Sequence, residues 1–403
     1  MKNLIVGQSG GPTAVINSSL AGVISAGIKS KKINKVFGAL YGVSGILEEN
    51  IKDLSDFSKK EITLLMQTPS AYLGSCRKKL PEYSEGKETY EKIFKMFEDY
   101  DIGYFFYIGG NDSMDTVNKL SAYAREIKSD VKIIGVPKTI DNDLALTDHT
   151  PGFGSAAKFV ANAVKQIALD NRVYDMNSVT VVEIMGRNAG WLTAAAELCN
   201  DEENTYADII CLPEIPFDME KLLSKIKEKV EEKKAVVIAL SEGVKDKDGK
   251  FLCEYVSSRA GEKDIFNHVQ MGGAGKALEN FIRDELGFKV RSIELSTLQR
   301  CFASGGSKTD VEEAFLVGSK AVEFALSGIT GVMAGYKRKD SKKYEIEIAT
   351  FDTNEVANFE KKVPLDMITE DGFGITEKFR EYALPLIQGE FDIEYKDGIL
   401  KTL

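Results

Sequence analysis

Five apolar runs of the chain end on glycine, and each is followed by a stretch compatible with a helix. The runs are NLIVGQSGG (3–11), GYFFYIGGNDS (103–113), KIIGVPKTIDND (132–143), SVTVVEIMGRNAG (178–190) and AVVIALSEG (235–243). Strands that are apolar throughout and alternate with helices predict parallel sheets covered on both faces. Such sheets bind ligands at the carboxyl ends of their strands, where these glycines lie. We therefore expect the functional site at these strand ends.

The length of 403 residues is too great for one ordinary core and suits two domains or one elaborated α/β unit. Helices are predicted over 113–129, 155–170 and 218–233. The charged stretch YKRKDSKKYE (336–345) predicts an exposed hairpin connection before the strand EIEIATF. A weaker boundary is expected after about residue 340, where the chain resembles an appended C-terminal segment.

Composition excludes several classes of function. A formal net charge of −10 argues against broad nucleic-acid binding, and no apolar run is long enough to span a membrane, so we expect a cytoplasmic protein. With only His149 and His268, a catalytic base is expected to be a carboxylate, and a histidine-rich metal site is excluded. Five dispersed cysteines without a CxxC pair suggest neither disulfides nor zinc: Cys76, Cys199, Cys211, Cys253 and Cys301.

Glycine-rich loops offer several candidate anion sites. GQSGGPTAVIN (7–17) places backbone N–H groups at a helix N-terminus, but no Lys follows the glycines as in a P-loop. GGAGKA (272–277) and GGSKT (305–309) also miss the P-loop spacing. GFGSAA (152–157) formally matches a dinucleotide motif, yet it follows LTDHTP and not an apolar strand. A dinucleotide oxidoreductase therefore stays a minor alternative.

The stretch PKTIDND (137–143) carries more chemistry. Asp141 and Asp143 directly follow a strand and flank Asn142, with Lys138 and Thr139 just before them. Asp141 could accept a proton from an attacking hydroxyl while Asp143 helps to hold a divalent metal, as phosphoryl transfer requires. The alternative is a turn built from Asx residues without catalytic function.

Five short motifs occur in an informative order: GGNDS (109–113), PKTIDND, MGR (185–187), SEG (241–243) and LQR (298–300). The series resembles that of the phosphofructokinase family, and the match runs from residue 3 to about 340. The resemblance implies an α/β fold with two Rossmann-like parallel-sheet domains and a C-terminal extension. It implies a donor domain at 1–145 plus about 300–345, a sugar-phosphate domain at about 146–299 and an extension at about 346–403.

The resemblance also implies roles for single residues. Asp141 would be the base, Thr139 and Ile140 would contact the substrate, and Asn111 and Asp143 would hold Mg²⁺. Gly11, Arg77 and Gly110 would contact the phosphoryl donor. The sugar phosphate would be bound by six further residues: Met185, Gly186, Arg187, Glu242, Arg291 and Arg300. Arginine suits phosphate because its planar fork binds two oxygens at once.

Two positions indicate the donor. ATP-using members of the family resemble GGDGS and PGTIDND, whereas this chain has Asp112 and Lys138 at the two variable places. This pair is similar to the pyrophosphate-dependent branch. The Asp112 side chain would repel the α-phosphate of a nucleotide, and Lys138 could stabilise the charge of the leaving phosphate. The resemblance thus implies reversible transfer from pyrophosphate to fructose 6-phosphate, in glycolysis or gluconeogenesis, by a homodimer or homotetramer.

Three residues depart from the family's usual pattern. Asn111 stands where an Asp is usual, Thr297 where many members have His or Tyr, and Ser178 where an Arg commonly reaches into the neighbouring subunit. An amide oxygen can still ligate Mg²⁺, although more weakly than a carboxylate. The other two changes leave sedoheptulose 7-phosphate open as a second substrate. An ATP-dependent sugar-phosphate kinase and a non-catalytic regulatory subunit stay open as alternative functions.

Overall fold

A computed structural model describes residues 1–255 and 272–403. Its larger sheet has seven strands in the order β11-β10-β5-β4-β1-β2-β3, and its smaller sheet has four in the order β7-β8-β6-β9. The strands of these two sheets are β1 Lys2–Gln8, β2 Ile33–Ala39, β3 Ile51–Asp53, β4 Ile102–Gly109, β5 Lys132–Pro137, β6 Ser178–Ile184, β7 Ile209–Cys211, β8 Ala235–Ser241, β9 Lys289–Glu294, β10 Val332–Arg338 and β11 Ile346–Asp352.

Parallel pairing dominates both sheets. All pairs of the smaller sheet are parallel, and in the larger sheet only the two outermost strands, β3 and β11, pair antiparallel to their neighbours. A separate two-stranded ribbon, β12 Tyr395–Lys396 and β13 Ile399–Leu400, lies near the C-terminus. The central strands β4, β6 and β8 are almost completely buried, as their uninterrupted apolar sequences predict.

Helices cover the sheets and connect their strands. They are α1 Ile16–Lys29, α2 Gly42–Leu47, α3 Lys59–Gln67, α4 Tyr83–Asp99, α5 Asn111–Glu126, α6 Phe153–Asn171, α7 Trp191–Ala194, α8 Met219–Lys233, α9 Ala274–Leu286, α10 Leu298–Cys301, α11 Lys308–Leu326, α12 Thr353–Val356 and α13 Glu377–Ala383. The three helices predicted from the sequence are confirmed as α5, α6 and α8. The α/β class with two parallel sheets is likewise confirmed.

The backbones of helices α1 and α11 approach each other closely at two points, where glycines leave no side chain between them. A Cβ atom on Gly22 of α1 would lie 2.1 Å from the carbonyl oxygen of Phe315 in α11. On the other helix, a Cβ on Gly318 would lie 2.1 Å from the carbonyl oxygen of Ser19. These two glycines therefore set how closely the helices approach, and α1 is the helix that follows the first glycine-rich loop.

Residues 339–345 connect β10 to β11, which confirms the predicted hairpin connection, but residues 336–338 belong to β10 and Tyr336 is buried there, so the connection is shorter than predicted. The antiparallel strand β11 joins the larger sheet, so the chain after residue 346 contributes to that sheet's edge. The boundaries of the two domains stay a prediction. None of the helices within the two described ranges is long and apolar enough to cross a membrane.

His149 is buried beneath β10. Its Nδ1 lies 2.8 Å from a carboxylate oxygen of Asp148, its Nε2 lies 2.8 Å from Glu313, and its ring stacks on Tyr336. Because both ring nitrogens are paired with carboxylates, this histidine is positioned as a structural group. His268 lies outside the described residues.

Candidate active site

A cavity of about 740 Å³ opens at the carboxyl ends of strands from both sheets. Five loops supply most of its wall: residues 9–13 after β1, 76–78 before α4, 110–113 at the start of α5, 138–143 after β5 and 185–189 after β6. Most of the residues proposed from the sequence line this cavity: Gly11, Arg77, Gly110, Asn111, Asp112, Lys138, Thr139, Ile140, Asp141, Asp143, Met185, Arg187, Glu242 and Arg300.

The loop that carries Asp141 is held by its neighbours. Asn142 has a left-handed backbone conformation with a φ of 55°, which turns the chain between the two carboxylates. Its side-chain amide donates to the hydroxyl of Tyr382 at 2.8 Å, and that hydroxyl donates to the carbonyl of Asp148. Asp141 donates its backbone N–H to the hydroxyl of Thr139 at 3.1 Å. The turn is thus an Asx-containing turn and also places two carboxylates in the cavity.

Burial raises the pKa of Asp141, although Lys138, Arg187 and Arg300 favour its charged form. A carboxylate whose pKa is raised binds a proton more strongly and is a better base toward a hydroxyl group. The position of Asp141 among three cations still allows the negative form to persist. These are the properties that a base for an alcohol requires.

Lys138 lies under the first glycine-rich loop. Its side chain is buried, and its Nζ donates to the carbonyl oxygen of Gly11 at 2.7 Å. A Cβ atom at Gly10 would lie 3.0 Å from that Nζ, and Gly10 also has a φ of 77°. Burial lowers the pKa of Lys138 to about 8, although Asp141 and Asp143 favour its protonated form. The loop after β1 therefore has a cation directly beneath it.

Asp112 lies in the first turn of α5, and its carboxylate is paired with Lys79 at 2.9 Å. Both side chains are about half exposed. The N-terminus of α5 attracts anions through its unpaired N–H groups and its dipole, and Asp112 adds a negative charge to that region. Sequence reasoning did not single out Lys79, which lies two residues after the proposed donor residue Arg77.

Asn111 and Asp143 fit a hard divalent cation. The Oδ1 atom of Asn111 is buried and has no hydrogen-bond partner within the described residues, while its Nδ2 donates to the carbonyl of Phe359. Burial, together with the negative charges of Asp141 and Glu360, raises the pKa of Asp143 to about 7. No group of three His, Cys, Asp or Glu side chains in the described ranges could hold a metal alone. Two oxygen ligands with water and substrate suit Mg²⁺.

Two arginines that line the cavity have unused donors. The Nε atoms of Arg187 and Arg300 are buried and have no hydrogen-bond partners in the parts of the chain that the structure describes. Leaving a charged donor buried and unpaired is costly, so both guanidinium groups suit an anionic ligand. Glu242 accepts from the backbone N–H of Gly186, which places Gly186 directly behind the cavity wall, and burial raises the pKa of Glu242 to about 7.

Arg291 is the proposed site residue that lies elsewhere. It belongs to β9 and faces a separate surface pocket with Ser178, where its Nη1 lies 3.5 Å from Asp170. Ser178 donates its hydroxyl to Asn171 in the same region. The structure of one chain therefore does not bring Arg291 to the cavity that holds Arg300.

The family model described as phosphofructokinase matches residues 3–323. The chain belongs to the phosphofructokinase family. A pyrophosphate–fructose 6-phosphate 1-phosphotransferase of Methylococcus capsulatus is 40% identical over 401 residues, which are 99% of this chain and 94% of that relative. The protein of the same name from Xanthomonas campestris is 43% identical over 402 residues, which are 99% of this chain and 95% of that relative. A pyrophosphate-dependent phosphofructokinase structure from Nitrosospira multiformis has a TM-score of 0.91 at 40% identity, covering 100% of this chain and 96% of that one.

The other glycine motifs of this phosphofructokinase have packing roles. At GFGSAA, a Cβ on Gly154 would lie 2.5 Å from the carbonyl of Leu386, so the C-terminal segment covers the motif. At GGAGKA, the N–H groups of Gly273 and Gly275 donate to the carboxylate of Glu183. In GFGSAA the N–H groups of Gly152 and Ser155 donate to the carboxylate of Asp310, so they are not offered to a phosphate and the dinucleotide alternative loses its basis.

Sequence reasoning missed cavity residues from the C-terminal segment of this phosphofructokinase. Asn358 and Glu360 line the cavity together with the motif residues. They lie in ANFEKK, a polar stretch without glycine, periodicity or a known motif. Cys76, which lies beside Arg77, also lines the cavity and is 3.4 Å from the hydroxyl of Tyr107.

Proposed function

We propose that this protein transfers a phosphoryl group from pyrophosphate to the 1-hydroxyl of fructose 6-phosphate, forming fructose 1,6-bisphosphate and phosphate. The observation that carries the proposal is that Asp112 and Lys138 both line the cavity that also holds Asp141. The relatives' names support the same donor and acceptor. Pyrophosphate and the product ester have comparable transfer potentials, so the reaction runs in both directions and serves glycolysis or gluconeogenesis.

Asp141 accepts the proton of the sugar hydroxyl as that oxygen attacks the terminal phosphorus of pyrophosphate. Lys138 and Arg77 stabilise the charge of the phosphate that leaves, and the N–H groups around Gly11 and Gly110 orient the donor. Because bond formation and bond breakage lie on one line, catalysis depends on holding the two substrates in register. Mg²⁺, held by Asp143 and Asn111, would neutralise part of the pyrophosphate charge when bound.

The sugar phosphate is held by the opposite wall. The hydroxyl of Thr139 and the backbone of Ile140 border the reacting end, Glu242 accepts hydrogen bonds from sugar hydroxyls, and Arg300 binds the 6-phosphate. Arg187 and Met185 close the space between them. The buried Nε donors of Arg187 and Arg300 support this assignment because an anion would satisfy both.

A homodimer or homotetramer would explain the position of Arg291. This side chain lies outside its own chain's cavity, in a pocket with the exposed residues Tyr174 and Met176, and Leu169 and Val173 in the same stretch of chain are also exposed. Neighbouring apolar side chains at a surface suit a contact with another protein. A second copy packed there would bring Arg291 toward the sugar phosphate of its partner. A cytoplasmic location accords with these two phosphorylated substrates.

Initial rates with purified protein, fructose 6-phosphate and Mg²⁺ test the proposal when pyrophosphate is compared with ATP. We expect rapid turnover with pyrophosphate and little with ATP. Equal rates with the two donors would overturn the donor assignment, and turnover with ATP alone would identify a sugar-phosphate kinase. No turnover with either donor would favour a non-catalytic subunit. Sedoheptulose 7-phosphate as acceptor in the same assay would define the sugar specificity.

A further inference from the structure

Residues 358–363, here called the C-terminal strap, cross the mouth of the cavity between the two sheets. Asn358 and Glu360 face the cavity from this segment. The strap follows β11, the edge strand of the larger sheet, and the short helix α12. It continues along the chain toward α13. It therefore lies where the donor side and the sugar side of the site meet.

On the donor side, the strap contacts the two loops that hold the proposed metal ligands. The carbonyl of Phe359 accepts from Asn111 Nδ2 at 3.2 Å, which fixes that amide and leaves its oxygen free of hydrogen bonds within the described chain. The N–H of Lys361 donates to the carbonyl of Asp143 at 2.7 Å. The ammonium of Lys361 also donates to the carbonyl of Asp148 at 2.7 Å. The strap is thus bonded to both loops.

On the sugar side, the strap contacts the loop that follows MGR. The indole N–H of Trp191 donates to the carbonyl of Lys361 at 2.8 Å. Glu214 joins the same two segments because its Oε1 accepts from the N–H groups of Gly190 and Val363, at 2.9 Å and 3.0 Å. One short segment is therefore hydrogen-bonded to the loops of both sheets.

Glu360 makes the side-chain link at the cavity mouth. Its Oε1 accepts from Asn188 Nδ2 at 2.7 Å, and Asn188 directly follows Arg187. The backbone of Glu360 pairs with Leu144, immediately after the loop that carries Asp141 and Asp143. Glu360 thus connects the loop that carries Asp141 to the loop that carries Arg187. The side chains of Glu360 and Asn188 are both exposed, so they can be replaced without disturbing a core.

We propose that the C-terminal strap sets the register between the two substrates, and that Glu360 is a positioning residue for the transfer step. The inference rests on the proposed function, since it concerns the alignment of two bound substrates. Each wall of the cavity can bind its own substrate without the link. The transfer step, in contrast, needs both walls at a fixed separation, and small misplacements of reacting groups reduce rates strongly.

The test uses the full chain with Glu360→Ala, Glu360→Gln, Asn188→Ala and the double variant Glu360→Ala/Asn188→Ala. Glu355→Ala serves as the matched control because it removes an exposed carboxylate from the same region outside the cavity. We expect Glu360→Ala to lower kcat roughly tenfold while the KM values for pyrophosphate and fructose 6-phosphate change less than about threefold. Gln keeps the acceptor oxygen and should restore kcat to within about twofold.

The double variant should be no slower than Glu360→Ala, because the two residues act through one interaction. An unchanged kcat in Glu360→Ala would overturn the inference, and so would a Gln variant as slow as the Ala variant, since the charge would then be what matters. If Glu360→Ala lowers the melting temperature, the kcat of Asn188→Ala tests the inference instead, because this variant removes the other partner of the same hydrogen bond. Absence of turnover in the unmodified protein is a separate result, which would overturn the proposed function and this inference with it.

Discussion

At the scale of single residues, Asp141 is the group on which the proposed chemistry depends most. We expect Asp141→Asn to lower kcat about a thousandfold while the circular dichroism spectrum is unchanged, because the amide keeps the shape but cannot accept the proton. In the unmodified protein kcat should fall on the acid side as Asp141 is protonated, at a pH above the usual carboxyl range because burial raises its pKa. Asp248→Asn, on an exposed turn, is the control. Unchanged turnover in Asp141→Asn would end the proposed mechanism.

We expect Asp112 and Lys138 to select the donor only when both are present. The double substitution Asp112→Gly/Lys138→Gly removes the carboxylate at the start of α5 and the cation beneath Gly11, the two groups proposed to exclude a nucleotide. We expect kcat/KM for ATP to rise at least about tenfold and that for pyrophosphate to fall. Lys79→Met is the control, since it alters the charge beside Asp112 and keeps the carboxylate. No gain with ATP in the double variant would contradict this selection.

In the absence of ligands, the ionised side chain of Asp143 should lower the free energy of unfolding. Its pKa is about 7 in the folded protein against about 3.9 in an unfolded chain, so folding favours the protonated form. The stability contributed by this group is therefore lost as pH rises from about 4 to 7. We expect Asp143→Asn to raise the melting temperature by about 2 °C or more at pH 8, with the gain vanishing near pH 4. A gain independent of pH would refute the assignment to ionisation.

At the scale of elements, the contact of α1 with α11 is set by glycine. Gly22→Ala places a methyl group 2.1 Å from the carbonyl oxygen of Phe315, and the helices must separate to admit it. We expect a loss of about 2 kcal/mol in the free energy of unfolding, measured with urea. Ser25→Ala, on a half-buried position of the same helix, should change it by less than about 0.5 kcal/mol. Equal stability of the two variants would exclude the close contact.

The elements differ in how well the sequence predicts them. Strands β1, β4, β5, β6 and β8 follow from apolar runs that end on glycine, and those ends carry the motif residues to one cavity. The strap could not be foreseen because most of its contacts use backbone groups, which leave no periodic pattern. Arg291 shows a related limit. The family resemblance implied a role for it beside Arg300, but a resemblance in sequence does not tell whether a side chain lies in its own chain's cavity.

At the scale of the whole molecule, the surface around Arg291 predicts association. Val173 and Tyr174 are 70% and 60% exposed and are adjacent in the chain, and adjoining exposed apolar side chains suit a contact with another protein. We expect the protein to sediment as a dimer or larger, and Val173→Asp/Tyr174→Asp to shift it toward the monomer with a higher KM for fructose 6-phosphate. Ile399→Asp, at a residue 73% exposed elsewhere, should leave the sedimentation coefficient unchanged. A monomeric unmodified protein would contradict the proposed subunit contact.

The hydrogen bond between Asn111 and Phe359 joins positions 248 residues apart. Contacts across so long a stretch of chain close late, because the entropy of loop closure opposes them until the intervening elements have formed. A molecule in which both sheets have folded but the strap has not yet docked would show native-like secondary structure and would not turn over. During refolding we therefore expect the recovery of enzymatic rate, which requires a docked strap, to lag behind the recovery of the circular dichroism signal.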